Sequence, residues 1–112
     1  MEVHATAKNL PTSPRKVRLL LRELPGKSID DAMTLLRFSG KPIARQVAKV
    51  VKSAAANAEN NYQMSPQDLR IVAAYAGDGR RLKRYRAGAR GRVKPILKRY
   101  SHVTIVVDER RK

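Results

Sequence analysis

Cysteine and tryptophan are missing from this 112-residue chain, and its aromatic residues are 4 tyrosines and 1 phenylalanine. Without cysteine there is no disulfide frame, no thiol nucleophile and no cysteine-ligated zinc. With so few rings there is no platform on which single-stranded nucleic acid could stack base after base. The two histidines, His4 and His102, stand on separate segments, with no second ligand at metal spacing from either. No GxxxxGK[ST] phosphate cradle occurs, and Gly77-Asp78-Gly79 lacks the third glycine and the following helix of a dinucleotide fingerprint. Asp30 and Asp31 stand together at a helix start, where carboxylates serve the helix dipole rather than acid/base chemistry. No enzyme activity, no catalytic residue and no cofactor is therefore expected. Nor does any apolar run approach the roughly 20 residues that span a bilayer, and MEVHATAKNL has no apolar signal core. A cytoplasmic protein without a membrane partner is the expectation.

Negative charge is also scarce. Lys and Arg number 25 against 9 Asp and Glu, for a formal charge of +16. Of this excess, +10 lies in residues 80–99, which hold Arg80, Arg81, Lys83, Arg84, Arg86, Arg90, Arg92, Lys94, Lys98 and Arg99 and no acid at all. Strand formers Leu82, Tyr85, Val93, Ile96 and Leu97 flank Gly88-Ala89-Arg90-Gly91, whose glycines can supply a tight reversal. That pattern predicts a β-hairpin arm reaching on the order of 30 Å at about 3.3 Å per residue. Its own cations repel one another in free solution, so a densely anionic partner must compensate them. Arginine outnumbers lysine seven to three in the arm, which suits bidentate phosphate contacts on an irregularly folded RNA. The literal GXXG at Gly88 to Gly91 joins strands here, not the helices of a KH domain, and carries little weight.

The remainder of the chain supplies a core. Apolar residues make up 42%, ordinary for a folded domain, and the length allows one domain, residues 1–112, with the arm at 80–99. Alternation predicts a strand over 3–7 with Val3, Ala5 and Ala7 on one side. Ser13-Pro14 opens a helix over 14–24, whose Val17, Leu20, Leu21 and Leu24 face inward and whose Arg15, Arg18 and Arg22 face away. Ser28 caps a second helix. A third, over 42–62, shows the most sustained helical period, through Ile43, Val47, Val50, Val51, Ala54, Ala58 and Tyr62. Leu69, Ile71, Ala73 and Tyr75 then alternate with Arg70, Val72, Ala74 and Ala76 in a strand feeding the arm, and the β-branched run from His102 to Val107 is the returning strand. The expected fold class is α+β: three helices on a small three-stranded antiparallel sheet, with a long basic β-hairpin extending from it.

Four segments, SPRKVRLLL, SAAANAENNY, LKRYRAGARGR and KRYSHVTIVV, in that order and at those intervals, resemble the bacterial large-subunit ribosomal protein twenty-two family over essentially the whole chain. The resemblance implies a structural constituent of the large ribosomal subunit that binds ribosomal RNA, supports its folding and assembly, and lines the nascent-peptide exit tunnel with its hairpin. It implies RNA contacts by Arg15, Lys16 and Arg18 of the first helix and by Lys83, Arg84, Arg86, Lys98 and Arg99 along the shaft of the arm. The remaining arm cations, Arg80, Arg81, Arg90, Arg92 and Lys94, join that set on charge. Ala87, Gly88, Ala89, Arg90, Gly91, Arg92 and Val93 are implied to form the tip at the tunnel wall. Implied partners are large-subunit ribosomal RNA, neighbouring ribosomal proteins and the nascent polypeptide. The alternative that composition leaves open is a DNA-architectural protein with basic β-arms, although the arm centre offers no apolar wedge.

Overall fold

Serine and proline mark where the helices start. Pro14 occupies the first turn of α1, Pro14–Leu21, where its fixed φ suits a helix and its missing N–H is not needed. This helix stops three residues before the predicted end at 24. Leu24 precedes Pro25, and a residue before proline is pushed out of the helical region. From the turn that results, Leu24 is still fully buried, its amide donating to the Leu21 carbonyl at 3.2 Å. The second helix, α2, Ile29–Arg37, is capped by the Ser28 hydroxyl, which accepts the Asp31 amide at 3.2 Å, and Asp30 and Asp31 sit in its first turn as predicted. In α3, Ala44–Tyr62, the buried residues Val47, Val50, Val51, Ala54 and Ala58 follow the expected spacing. Tyr62 does not join them and is half exposed. Gln63, at φ +53°, turns the chain at the helix end, and Met64 takes the buried place instead.

In this computed structural model residues 2–87 and 93–109 are described, with side chains for 2–79 and 99–109. The strands are β1, Val3–Leu10; β2, Leu69–Ala87; and β3, Val93–Glu109. They form one antiparallel sheet in the order β1-β3-β2, so the last strand in sequence is the central one. The helices cover one face: α3 crosses β1 and β3, α1 crosses β2 and β3, and α2 packs beside α3. Val17 and Leu21, Val47 and Val51, Leu69 and Ile71, and Val103, Ile105 and Val107 are all removed from solvent there. The α+β class and the three-on-three layering agree with the sequence pattern.

One part of that pattern is inverted. Ile71 pairs with Val107 but Ala73 pairs with Val106, so Val72 is an extra residue in β2. A bulge of one residue moves every following side chain to the opposite face. Leu69 and Ile71 are buried as expected, but beyond the bulge Ala76 is buried and Tyr75 is 55% exposed, the reverse of the simple alternation.

Two more irregularities meet at a single level of the sheet. β1 carries an extra residue between Ala7 and Leu10, opposite Val103 and Ser101, with Asn9 at φ +56°. β2 carries another between Asp78 and Arg81, opposite Ser101 and Arg99. Ser101 is fully buried between them. Beyond this level only β2 and β3 continue, paired step by step from Arg81 with Arg99 to Ala87 with Val93, and this is the predicted arm. The molecule consequently measures 66 × 26 × 17 Å, with a radius of gyration of 17.2 Å. A compact domain of this length would have about 13 Å.

Gly79 lies in the second irregularity, where backbones crowd. A Cβ built there meets the Tyr100 carbonyl carbon and oxygen at 3.1 Å and the Ser101 nitrogen at 3.2 Å, whereas one on Gly77 meets nothing within 4 Å. Main-chain atoms inside a sheet yield little. Gly79→Ala is therefore expected to lower stability by about 1–3 kcal/mol, and Gly77→Ala to shift it by no more than about 0.5 kcal/mol or to raise it slightly. Urea denaturation of the two variants beside the parent checks this; equal midpoints would refute the crowding.

Candidate nucleic-acid interface

The amphipathic period of α1 leaves Arg15, Lys16, Arg18 and Arg22 exposed on the side away from Val17, Leu20 and Leu21. Arg18 differs from its neighbours. Its Nε and Nη2 donate to the Ala76 carbonyl at 3.0 and 2.8 Å, which ties α1 to β2 just before the arm begins. A guanidinium carries five N–H donors in a planar fork, so Nη1 stays available for an outside anion. Arg18 is thus a structural tie that can also act as a ligand, while Arg15 and Lys16 are exposed and make no side-chain hydrogen bond among the described residues.

At the root of the arm the chain forms an open cleft of about 810 Å³. Four segments distant in sequence build it. The turn after β1 contributes Pro11 and Thr12, α1 contributes Lys16 and Leu19, the turn between α2 and α3 contributes Lys41 and Pro42, and β3 contributes Arg99 and Tyr100. Two of the cations expected from sequence, Lys16 and Arg99, are brought together here. Lys41 and Tyr100 were not singled out beforehand. Lys41 sits in Gly40-Lys41-Pro42, whose sequence signal is that of a chain break, and no local pattern reveals that the fold carries this turn to the arm.

A second groove, of about 920 Å³, runs between α2 and α3 and is lined by Arg37, Lys41, Arg45 and Lys49 with Met33 and Ala48 beneath. Lys41 and Pro42 line both hollows, so the basic surface continues from the arm root across the helices. The acids Glu23 and Asp31 line a different hollow, beside Phe38. The two basic grooves together offer anionic partners one continuous surface.

Along the arm the register opposes Arg81 to Arg99 and Arg86 to Lys94. Like charges set directly across a strand pair destabilise it. Arg80, Lys83, Arg84 and Lys98 also lie in the paired strands, and Ala87 and Val93 close the last described pair. Gly88, Ala89, Arg90, Gly91 and Arg92, the remainder of the expected tip, lie outside the described residues. Of the histidines, His102 accepts the Asn9 amide through Nδ1 at 3.1 Å and thereby helps to hold the β1 irregularity. Among the described residues no group of three His, Asp or Glu side chains could hold a metal ion, and no helix is long and apolar enough to cross a membrane.

Basic helix, basic cleft and basic arm thus lie on one scaffold, and comparison with known proteins bears on what that scaffold is. The family described as ribosomal protein L22p/L17e matches residues 5–108. The chain belongs to that family. Among its relatives is the large ribosomal subunit protein uL22 of Dehalococcoides mccartyi, 57% identical over 109 residues, which are 97% of this chain and 100% of the relative. The uL22 proteins of Clostridium novyi and Finegoldia magna are 48% and 44% identical over 110 residues, 98% of this chain in each case and 99% and 98% of the relatives. Membership in the L22p/L17e family makes this a structural ribosomal protein and not an enzyme. The absence of catalytic motifs in the sequence agrees with that assignment.

The tie made by Arg18 separates it experimentally from Arg15. Arg18→Ala leaves the Ala76 carbonyl without its charged donor and is expected to lower stability by about 1 kcal/mol, a value reduced from that of a buried charged hydrogen bond because the pair is only partly buried. Arg15→Ala should change stability by less than about 0.5 kcal/mol. Thermal and urea unfolding of the two variants reads the difference.

Proposed function

We propose that the chain binds large-subunit ribosomal RNA through α1, the arm-root cleft and the arm, supports the folding and assembly of that RNA, and carries the arm's tip to the wall of the nascent-peptide exit tunnel. Neighbouring large-subunit proteins and the nascent polypeptide are then its further partners. The observation that carries the reading is the arm of this ribosomal protein. It is a two-stranded ribbon that leaves the core and that opposes Arg81 to Arg99 and Arg86 to Lys94. Phosphates lying around such a ribbon would offset the repulsion between those like charges, and an RNA fold with many strands passing close together supplies them.

The mechanism follows from charge and shape. Each Lys or Arg that reaches a phosphate releases condensed counterions, and the planar fork of arginine can grip two phosphate oxygens at once. A long, narrow ribbon touches RNA segments that are far apart in sequence and lowers the repulsion between them. The domain at its base, with Arg15, Lys16, Lys41 and Arg45 exposed, holds the outer end. The DNA-architectural alternative loses ground, since the family is ribosomal.

Binding of the purified chain to a transcript of large-subunit ribosomal RNA should weaken steeply with salt, log affinity falling linearly with log salt concentration. Arg84→Ala and Arg86→Ala together are expected to lower that slope by about 1.5 to 2. In a lysate fractionated on a density gradient the chain should travel with the large subunit and stay through a high-salt wash. A salt-insensitive affinity, or recovery with the nucleoid, would sink the proposal.

A further inference from the structure

We infer that the cleft at the arm root is a pocket for a single unstacked nucleotide of RNA, its phosphates held by Lys16, Lys41 and Arg99 and its base laid against Leu19, Pro42 and Tyr100. The inference rests on the RNA-binding reading above and adds to it a specific kind of ligand. Three observations carry it.

The first is charge. Lys16, Lys41 and Arg99 come from a helix, a turn and a strand that are far apart in sequence, and among the described residues no acid lines the cleft with them. Three converging cations without a counter-charge match one or two phosphate groups. The second is the apolar wall. α1 buries Val17, Leu20 and Leu21, yet its Leu19 is 52% exposed and turns into this cleft beside Pro42 and Tyr100. A leucine left in water on a helix with a well-filled inner face has no role in the core. Beside a half-buried tyrosine it makes a surface on which a base can rest, and a base has an apolar face whatever its sequence identity. The third is size. At about 810 Å³ the cleft is within the range of sites that enclose small ligands, and it is open on one side, so a nucleotide can enter while its strand passes outside.

A paired helix does not satisfy this arrangement. Stacked bases present only edges and backbone, so a duplex could meet the three cations but would leave Leu19, Pro42 and Tyr100 uncovered. A bulge or an unpaired loop can extend one base past its phosphates and reach both. Where the arm passes between RNA segments, a nucleotide seated at its root would also fix the depth to which the ribbon is inserted.

The test uses the full chain and two synthetic RNAs, a hairpin closed by a non-nucleotide linker so that every base is paired and the same hairpin carrying one bulged uridine, with affinities measured by fluorescence anisotropy at a fixed salt concentration. The bulged hairpin is expected to bind about tenfold more tightly, the lower part of what stacking of one base on an aromatic ring supplies. Tyr100→Ala and, separately, Leu19→Ser should bring the ratio of the two affinities close to one. Leu19 is on the helix surface, so its variant keeps the test alive if Tyr100→Ala fails to fold. Ultraviolet cross-linking of the bulged hairpin followed by mass spectrometry should put the adduct on the peptide containing Tyr100. Equal, salt-dependent affinities for the two RNAs would overturn the pocket and leave the RNA-binding reading standing. Failure of both RNAs to bind would count against that reading itself. Displacement of the bulged RNA by an acidic peptide, with no preference between the hairpins, would assign the cleft to a protein segment and also overturn the inference.

Discussion

β3 is hydrogen-bonded on both sides between Ser101 and Val107 and on one side from Arg99 to Val93. That single strand is both the middle of the core and half of the arm. Its buried residues Val103, Ile105 and Val107 hold the sheet to α1 and α3, and the continuation of the same backbone carries the basic ribbon outward. On the side of β3 the arm therefore continues the core strand without a register break. A load placed on the ribbon is passed along a continuous strand into the most deeply buried part of the molecule, where two neighbouring strands and two helices resist it.

The second constraint is unbalanced charge. The domain buries its apolar residues as any small α+β protein does, but its basic residues outnumber its acids 25 to 9. They gather on α1, around the turn at Lys41, along α3 and on the arm, while Glu23 and Asp31 stand apart. The folded protein on its own is thus an incomplete electrostatic object. Its core is self-sufficient; its surface charge is not balanced by its own acids, and the RNA partner proposed above would balance it.

Much of this was legible in the sequence because the signals are local. Ser28 and Asp31 announce a helix start within four residues, the period of α3 repeats over many turns, and ten cations without an acid in residues 80–99 need no structure to be noticed. What escaped was non-local or depended on one residue. The alternation of β2 reads smoothly through Val72, and nothing in the side chains there warns that β3 will skip it, so Tyr75 and Ala76 exchange their expected places. The end of α1 was misjudged because the leucine period outlasts the helix: Leu24 fills its core position from a turn. Tyr62 obeys the helical spacing but lies where the helix runs out. The cleft was invisible for a different reason. Lys16, Lys41 and Arg99 each look unremarkable in their own segments, and only the three-dimensional chain brings them to one opening.

The two irregularities that face each other across Ser101 have a consequence for how this chain can change in length. Each inserts one residue into an outer strand and none into β3, so together they set the phase between the surface that the domain buries and the surfaces that the arm presents. Removing one residue between Asp78 and Arg81 would leave the domain's packing largely untouched while exchanging the two sides of the outgoing strand of the ribbon and slipping it against the returning one. The arm can therefore lengthen or shorten at its far end, in matched pairs of residues, with little effect on its base. At the base its length is fixed to the single residue. The junction works as an indexing device, in which two one-residue offsets determine which way a long lever faces.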